Sequence, residues 1–193
     1  MTKNRLEAFS DGVLAIIITI MVLELHPPDG ISFASLRPLI PKILSYVMSF
    51  AFVGIYWNNH HHLLHTVKKV NGGILWANLN LLFWLSLIPF TTAWMGDHHF
   101  EGPPVALYGI VLLMAAVAYY VLVRFILSRH GQDSVLARAI GNDFKGKISV
   151  VLYVVAIPCA FFIPLLAQLI YALVGVMWIM PDMRIERLLE KEE

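Results

Sequence analysis

An apolar stripe with a single hydroxyl runs along the first hydrophobic segment of the sequence. At about 100° per residue, Gly12, Ile16, Thr19 and Leu23 share one face of a helix. Such a face either packs against a neighbouring helix, with Thr19 bonded to its own backbone, or lines a pore. In a pore, bulky aliphatic side chains form a dewetting constriction, and hydroxyl or carbonyl oxygens replace water around an ion. The stripe alone leaves both interpretations open.

A carboxylate lies on another side of the same helix. Asp11 is displaced by about 140° from Ile16, so it faces away from the stripe, near the membrane edge. An ionisable group at this depth needs a partner and marks a candidate functional site. The alternative is that Asp11, together with Ser10, caps the amino end of the helix, where the dipole favours negative charge.

A polar face follows on the second hydrophobic segment, where Asn58, His61 and His65 recur at helical spacing. These residues could form ordinary interhelical hydrogen bonds. A metal site is the weaker alternative, because no carboxylate or cysteine accompanies the two histidines, and we predict none. The interpretation that we favour is a network that holds the first helix in place. Its members would be Arg5, Ser10, Asp11, His61, His65, Trp76, Asn78 and Asn80.

These residues belong to a chain with the composition of a membrane protein. Of its 193 residues, 59% are hydrophobic and 14% are charged, and the mean hydropathy is +0.72. Crossing the hydrocarbon core takes about 20 apolar residues in a helix. We therefore predict an all-α, polytopic protein with six transmembrane helices, and we expect no break within the first four. The predicted helices cover residues 9–25, 43–67, 72–94, 105–127, 147–163 and 165–180.

The distribution of basic residues predicts the orientation of these helices. With a cytoplasmic amino terminus, twelve of the fourteen Lys and Arg residues fall on the cytoplasmic side. An even number of helices then places both termini in the cytoplasm. We expect residues 1–180 to form one transmembrane domain and residues 181–193 to form a short cytoplasmic tail.

The start of the first helix resembles a known family. Residues 5–11 read RLEAFSD and include Arg5, Phe9, Ser10 and Asp11. They match the Arg-x-x-x-Phe-Ser-Asp signature of the transmembrane protein 175 potassium channels, in the bacterial single-repeat form. An aliphatic helix follows, and then YWNNHHH at residues 56–62 and WANLN at residues 76–80, in the order typical of the family. The resemblance covers about the first half of the chain.

The resemblance implies a potassium-permeable ion channel that conducts passively and lacks the Thr-Val-Gly-Tyr-Gly filter, which this sequence also lacks. In such channels the first helices line the pore. Ile16 would then form a hydrophobic constriction, Thr19 would bear on selectivity with potassium transiently nearby, and Leu23 would lie one turn beyond. The signature residues would be held by polar and aromatic groups of the second and third helices.

The resemblance also implies an assembly. Animal members carry two copies of the six-helix unit and work as dimers, whereas this sequence contains one copy, so a homotetramer around a central pore is expected. The expected partners are further copies of the chain, the lipid bilayer and potassium ions, with no nucleic acid, no cofactor and no enzymatic activity. The expected location is the cell membrane, as a multi-pass protein of a bacterial plasma membrane. The alternative function is an ion-coupled secondary transporter, a class in which repeats and interrupted helices are common.

Overall fold

The described elements of the protein are helical throughout. A computed structural model describes residues 2–67, 69–130 and 144–179; the predicted tail at 181–193 lies outside them. A 3₁₀ helix, Phe33–Leu39, leads directly into the second α-helix. The α-helices of the described residues are α1 (Lys3–Leu23), α2 (Ile40–His65), α3 (Gly72–Ser86), α4 (Ile88–Asp97), α5 (Gly102–His130), α6 (Phe144–Cys159) and α7 (Pro164–Ile179).

The third predicted segment is interrupted in the middle. Helix α3 ends at Ser86 and α4 begins at Ile88, with Leu87 between them. Pro89, in the first turn of α4, has no N–H to donate to a carbonyl of the preceding turn, so the hydrogen-bond ladder is broken there. The expectation that the first four segments are free of such a break is therefore wrong for the third.

Four stretches of the described residues are long and apolar enough to cross a membrane. They are residues 3–23, 33–65, 72–97 and 102–128. Helices α6 and α7 have 16 residues each, and about 24 Å of helix is shorter than the hydrocarbon core of about 30 Å. The all-α, multi-pass membrane fold is thus confirmed, although the last two described helices are shorter than a full span.

The helices form two connected groups. Helix α1 packs on α2, α3 and α4, whereas α6 and α7 pack on α5 and on each other, and α7 also packs on α2. Helix α5 joins the groups through contacts with α3 and α4. The hydroxyl of Ser49 on α2 lies 2.6 Å from that of Thr92 on α4 and 3.0 Å from that of Tyr108 on α5. This buried cluster ties the two groups together.

Candidate functional site

Helix α1 has a packed face and an exposed face. The packed face consists of residues at helical spacing that are buried against neighbouring helices, namely Leu6, Ser10, Leu14, Ile17 and Met21. On the other side, Ile16 is 58% exposed and Leu23 is 74% exposed, and Gly12 and Thr19 are also exposed. The stripe identified in the sequence therefore points away from the other described helices of its own chain.

The hydroxyl of Thr19 is oriented by its own helix. It donates a hydrogen bond of 2.9 Å to the carbonyl oxygen of Ile16. A hydroxyl has one donor and two acceptor lone pairs, so this bond uses the donor and leaves oxygen lone pairs available. An exposed oxygen of this kind can contribute to coordinating a cation.

A buried chain of hydrogen bonds fixes the packed face of α1. The amide nitrogen of Asn78 donates to Ser10 Oγ at 3.0 Å, and Ser10 Oγ donates to the Leu6 carbonyl at 2.9 Å. His60 Nε2 lies 2.7 Å from Asn78 Oδ1 and donates to it. Ser10, His60 and Asn78 are almost completely buried. These hydrogen bonds thus join α1, α2 and α3 in a buried environment, where an unpaired polar group is costly.

Asp11 has a partner on α2. The indole nitrogen of Trp57 donates to Asp11 Oδ1 at 3.1 Å. Because α1 begins at Lys3 and its N-cap residue is Thr2, Asp11 lies within the helix and does not cap it. The Trp57 ring also stacks on His61, with 6.3 Å between centroids.

The other predicted network residues lie outside this series of buried hydrogen bonds. Arg5, Phe9, His61, His65, Trp76 and Asn80 have exposed side chains within the single chain. The rings of His61 and His65 lie 4.9 Å apart, and His65 meets α1 through its backbone carbonyl, which accepts a bond of 3.1 Å from Lys3 Nζ. In the part of the chain that the structure describes, no group of three or more His, Cys, Asp or Glu side chains is arranged to hold a metal.

Two site residues, Trp57 and His60, were not identified from the sequence. His60 lies in a run of three histidines, and the polar pattern drew attention to its neighbour His61. The apolar pattern carries the signal that could have found it, because Val53, Tyr56, His60 and Leu64 fall at i, i+3, i+7 and i+11. This spacing places His60 on the buried face of α2.

The fold and this site define a class: a polytopic helical membrane protein whose first helix is anchored on one face and open on the other. Comparison with known proteins identifies the family. The sequence profile described as "Endosomal/lysosomal potassium channel TMEM175" matches residues 5–89. A potassium channel of Chryseobacterium sp. (strain P1-3) is 59% identical over 191 residues, which cover 99% of this chain and 100% of that relative. The protein belongs to the TMEM175 family, as its signature predicts.

Two further relatives place this assignment in context. The crystal structure of a lysosomal potassium-selective channel TMEM175 homolog from Chamaesiphon minutus matches with a TM-score of 0.82 and 26% identity, covering 93% of this chain and 97% of that chain. The endosomal/lysosomal proton channel TMEM175 of Homo sapiens is 38% identical over 96 residues, which cover 43% of this chain and 19% of the human protein.

Proposed function

We propose that this protein is a potassium-permeable channel that conducts passively through a central pore between four copies of the chain, with α1 lining the pore. The observation that carries the proposal is the exposed stripe of α1, which lies opposite a face anchored by buried hydrogen bonds. The similar protein of Chryseobacterium bears the name potassium channel, and the similar solved structure is described as potassium-selective.

The pore would contain an aliphatic constriction and an oxygen ring on the same stripe. Four Ile16 side chains around the axis would exclude water by dewetting, and Leu23 would extend the apolar surface. Thr19 Oγ1 would offer an oxygen to a partly dehydrated potassium ion, which stays there only transiently. An aliphatic ring cannot by itself prefer potassium over sodium, so we expect modest selectivity that originates at Thr19.

The signature would position α1 both within and between subunits. Within a subunit, Ser10 and Asp11 bond to Asn78 and Trp57. The exposed network residues would complete the positioning by contacting neighbouring copies of the chain, since the polar side chains among them favour protein partners in a bilayer. They are Arg5, Phe9, His61, His65, Trp76 and Asn80.

The orientation follows from the charges. We propose cytoplasmic termini and a location in a bacterial plasma membrane, because the positive-inside rule assigns twelve of fourteen basic residues to the cytoplasmic side. Passive conduction requires no cofactor and no enzymatic step.

An ion-coupled secondary transporter is the second candidate. The observation that favours it is the interruption at Leu87, because discontinuous membrane helices are common at transporter binding sites. The two candidates differ in whether potassium crosses the membrane without a coupled ion.

Potassium flux in liposomes separates the two candidates. Purified protein should pass potassium down its own gradient, in the absence of any other ion gradient, whereas a coupled transporter should not. A pH-sensitive dye in the same liposomes would report proton permeation, the property in the human relative's name.

A substitution in the stripe tests the constriction. Ile16→Asn should wet the constriction and raise the flux, while Leu169→Asn on α7 should leave it unchanged. Leu169 is a matched control because it is 59% exposed, compared with 58% for Ile16. Equal flux through wild type and Ile16→Asn, at equal protein incorporation, would count against a constriction at Ile16.

A further inference from the structure

A large apolar cavity lies away from α1, between α2, α5, α6 and α7. Its volume is about 540 Å³, within the range of about 300–1,000 Å³ that is typical of small-molecule sites. Aliphatic and aromatic side chains dominate its walls, including Phe52, Leu63, Ala116, Val150, Tyr153 and Trp178.

The cavity is elongated along the helices. On α2 its lining extends from Phe52 to Leu63, which is about 16 Å at 1.5 Å per residue. On α6 it extends from Gly146 to Tyr153, or about 10 Å. An apolar space that extends along membrane helices in this way can accommodate part of an acyl chain.

One end of the cavity carries positive charge. Lys147 belongs to the lining and is exposed. The guanidinium carbon of Arg124 lies 6.0 Å from the centroid of the Tyr120 ring, and Lys145 Nζ lies 5.9 Å from that of Trp178; both rings line the cavity. These cations lie where α5 approaches its end and α6 begins. Among the described lining residues there is no carboxylate.

We propose that this cavity binds an anionic phospholipid, with an acyl chain in the apolar space and the phosphate beside Lys147 and Arg124. Basic pockets between transmembrane helices bind the head groups of anionic lipids, and aromatic rings such as Tyr120 and Trp178 favour the membrane interface. Charge complementarity selects an anionic lipid over a zwitterionic one. The site is distinct from the candidate pore, because none of its lining residues belongs to α1.

Native mass spectrometry of the detergent-purified protein tests the proposal without any flux measurement. The protein, titrated with phosphatidylglycerol or phosphatidylcholine, should retain phosphatidylglycerol preferentially. Replacing the two cations proposed to lie beside the phosphate, in Lys147→Gln combined with Arg124→Gln, should weaken that retention by about thirtyfold. Lys69→Gln is the matched control, because Lys69 is exposed and lies outside the lining, and its retention should equal that of wild type.

A second measurement places the lipid in the cavity. Brominated phosphatidylglycerol should quench the fluorescence of Trp178, identified as the difference from Trp178→Phe, and Ala116→Phe should reduce this quenching by filling the cavity. Equal retention of both lipids, or retention unaffected by the double charge substitution, would overturn the proposal. The proposal would also be overturned if the double charge substitution changed the number of copies in the assembly without changing the amount of bound lipid. The cavity would then be an interface between copies of the chain. The charge variants keep the test valid if Ala116→Phe fails to fold.

Discussion

At the scale of residues, the two faces of α1 have different environments. Ser10 is completely buried and bonded, whereas Ile16 and Thr19 are open to the surroundings of the chain. Since the buried polar atoms of Ser10, Asn78 and His60 satisfy one another, the packed face has one preferred rotation about the helix axis. That rotation determines which side chains the exposed face presents.

Asn78 bonds to both Ser10 and His60, so replacing its side chain should lower the stability of the protein. Asn78→Leu would leave the buried His60 N–H without its acceptor, and we expect a loss of roughly 1–3 kcal/mol in the free energy of unfolding. The control is Ser86→Leu, on the exposed surface of the same helix, where among the described residues the hydroxyl bonds only to the Phe83 carbonyl of its own helix. Thermal unfolding in detergent measures this loss of stability. An equal melting temperature for the two variants would contradict the role of Asn78.

The sequence allowed part of this site to be predicted. Ser10 and Asn78 were assigned to one network, and the structure bonds them directly. His60 was missed because adjacent histidines have identical chemistry and differ only in helical phase, which depends on the packing of α2. The exposed positions of His61 and His65 likewise follow from that phase.

At the scale of elements, hydropathy located the helices but not their ends. The first helix begins at Lys3, six residues before the predicted start at residue 9, because a helix continues beyond its apolar part. Lys3 and Glu7 form an i, i+4 ion pair within this extension, with 3.8 Å between Lys3 Nζ and Glu7 Oε1. The break at Leu87 was missed because the predicted segment 72–94 is apolar on both sides of Pro89, so hydropathy shows no interruption there.

The contact between α5 and α7 depends on a glycine. A Cβ atom at Gly109 would overlap the ring of Tyr171, which is fully buried and has little room to move. Gly109→Ala should therefore destabilise the protein by about 1–3 kcal/mol and lower its melting temperature. Gly54→Ala is the control, since a Cβ atom at Gly54 would have no neighbouring atom within 4 Å. A melting temperature for Gly109→Ala at or above that of Gly54→Ala would show that this contact is not tightly packed.

At the scale of the whole molecule, the class of fold was predictable from composition, whereas the homotetramer is an expectation that rests on the family resemblance. Composition and segment length were sufficient for an all-α membrane protein, and the signature at residues 5–11, together with the motifs at 56–62 and 76–80, was sufficient for the family. An interface between copies depends on surface shape, which hydropathy does not encode. The apolar stripe of α1 is an example, because an apolar surface can face lipid, a neighbouring helix or a pore.

Cysteine accessibility at Thr19 tests most directly whether α1 lines a pore. The sequence contains one cysteine, Cys159, so Cys159→Ser gives a background without thiols. In this background four thiols at Thr19→Cys would surround the axis, and Cd²⁺, a soft ion that thiolates bind well, should block potassium flux through liposomes. Flux through the Leu169→Cys control should persist. Full flux through Thr19→Cys with Cd²⁺ on both sides of the membrane would contradict a pore lined by α1.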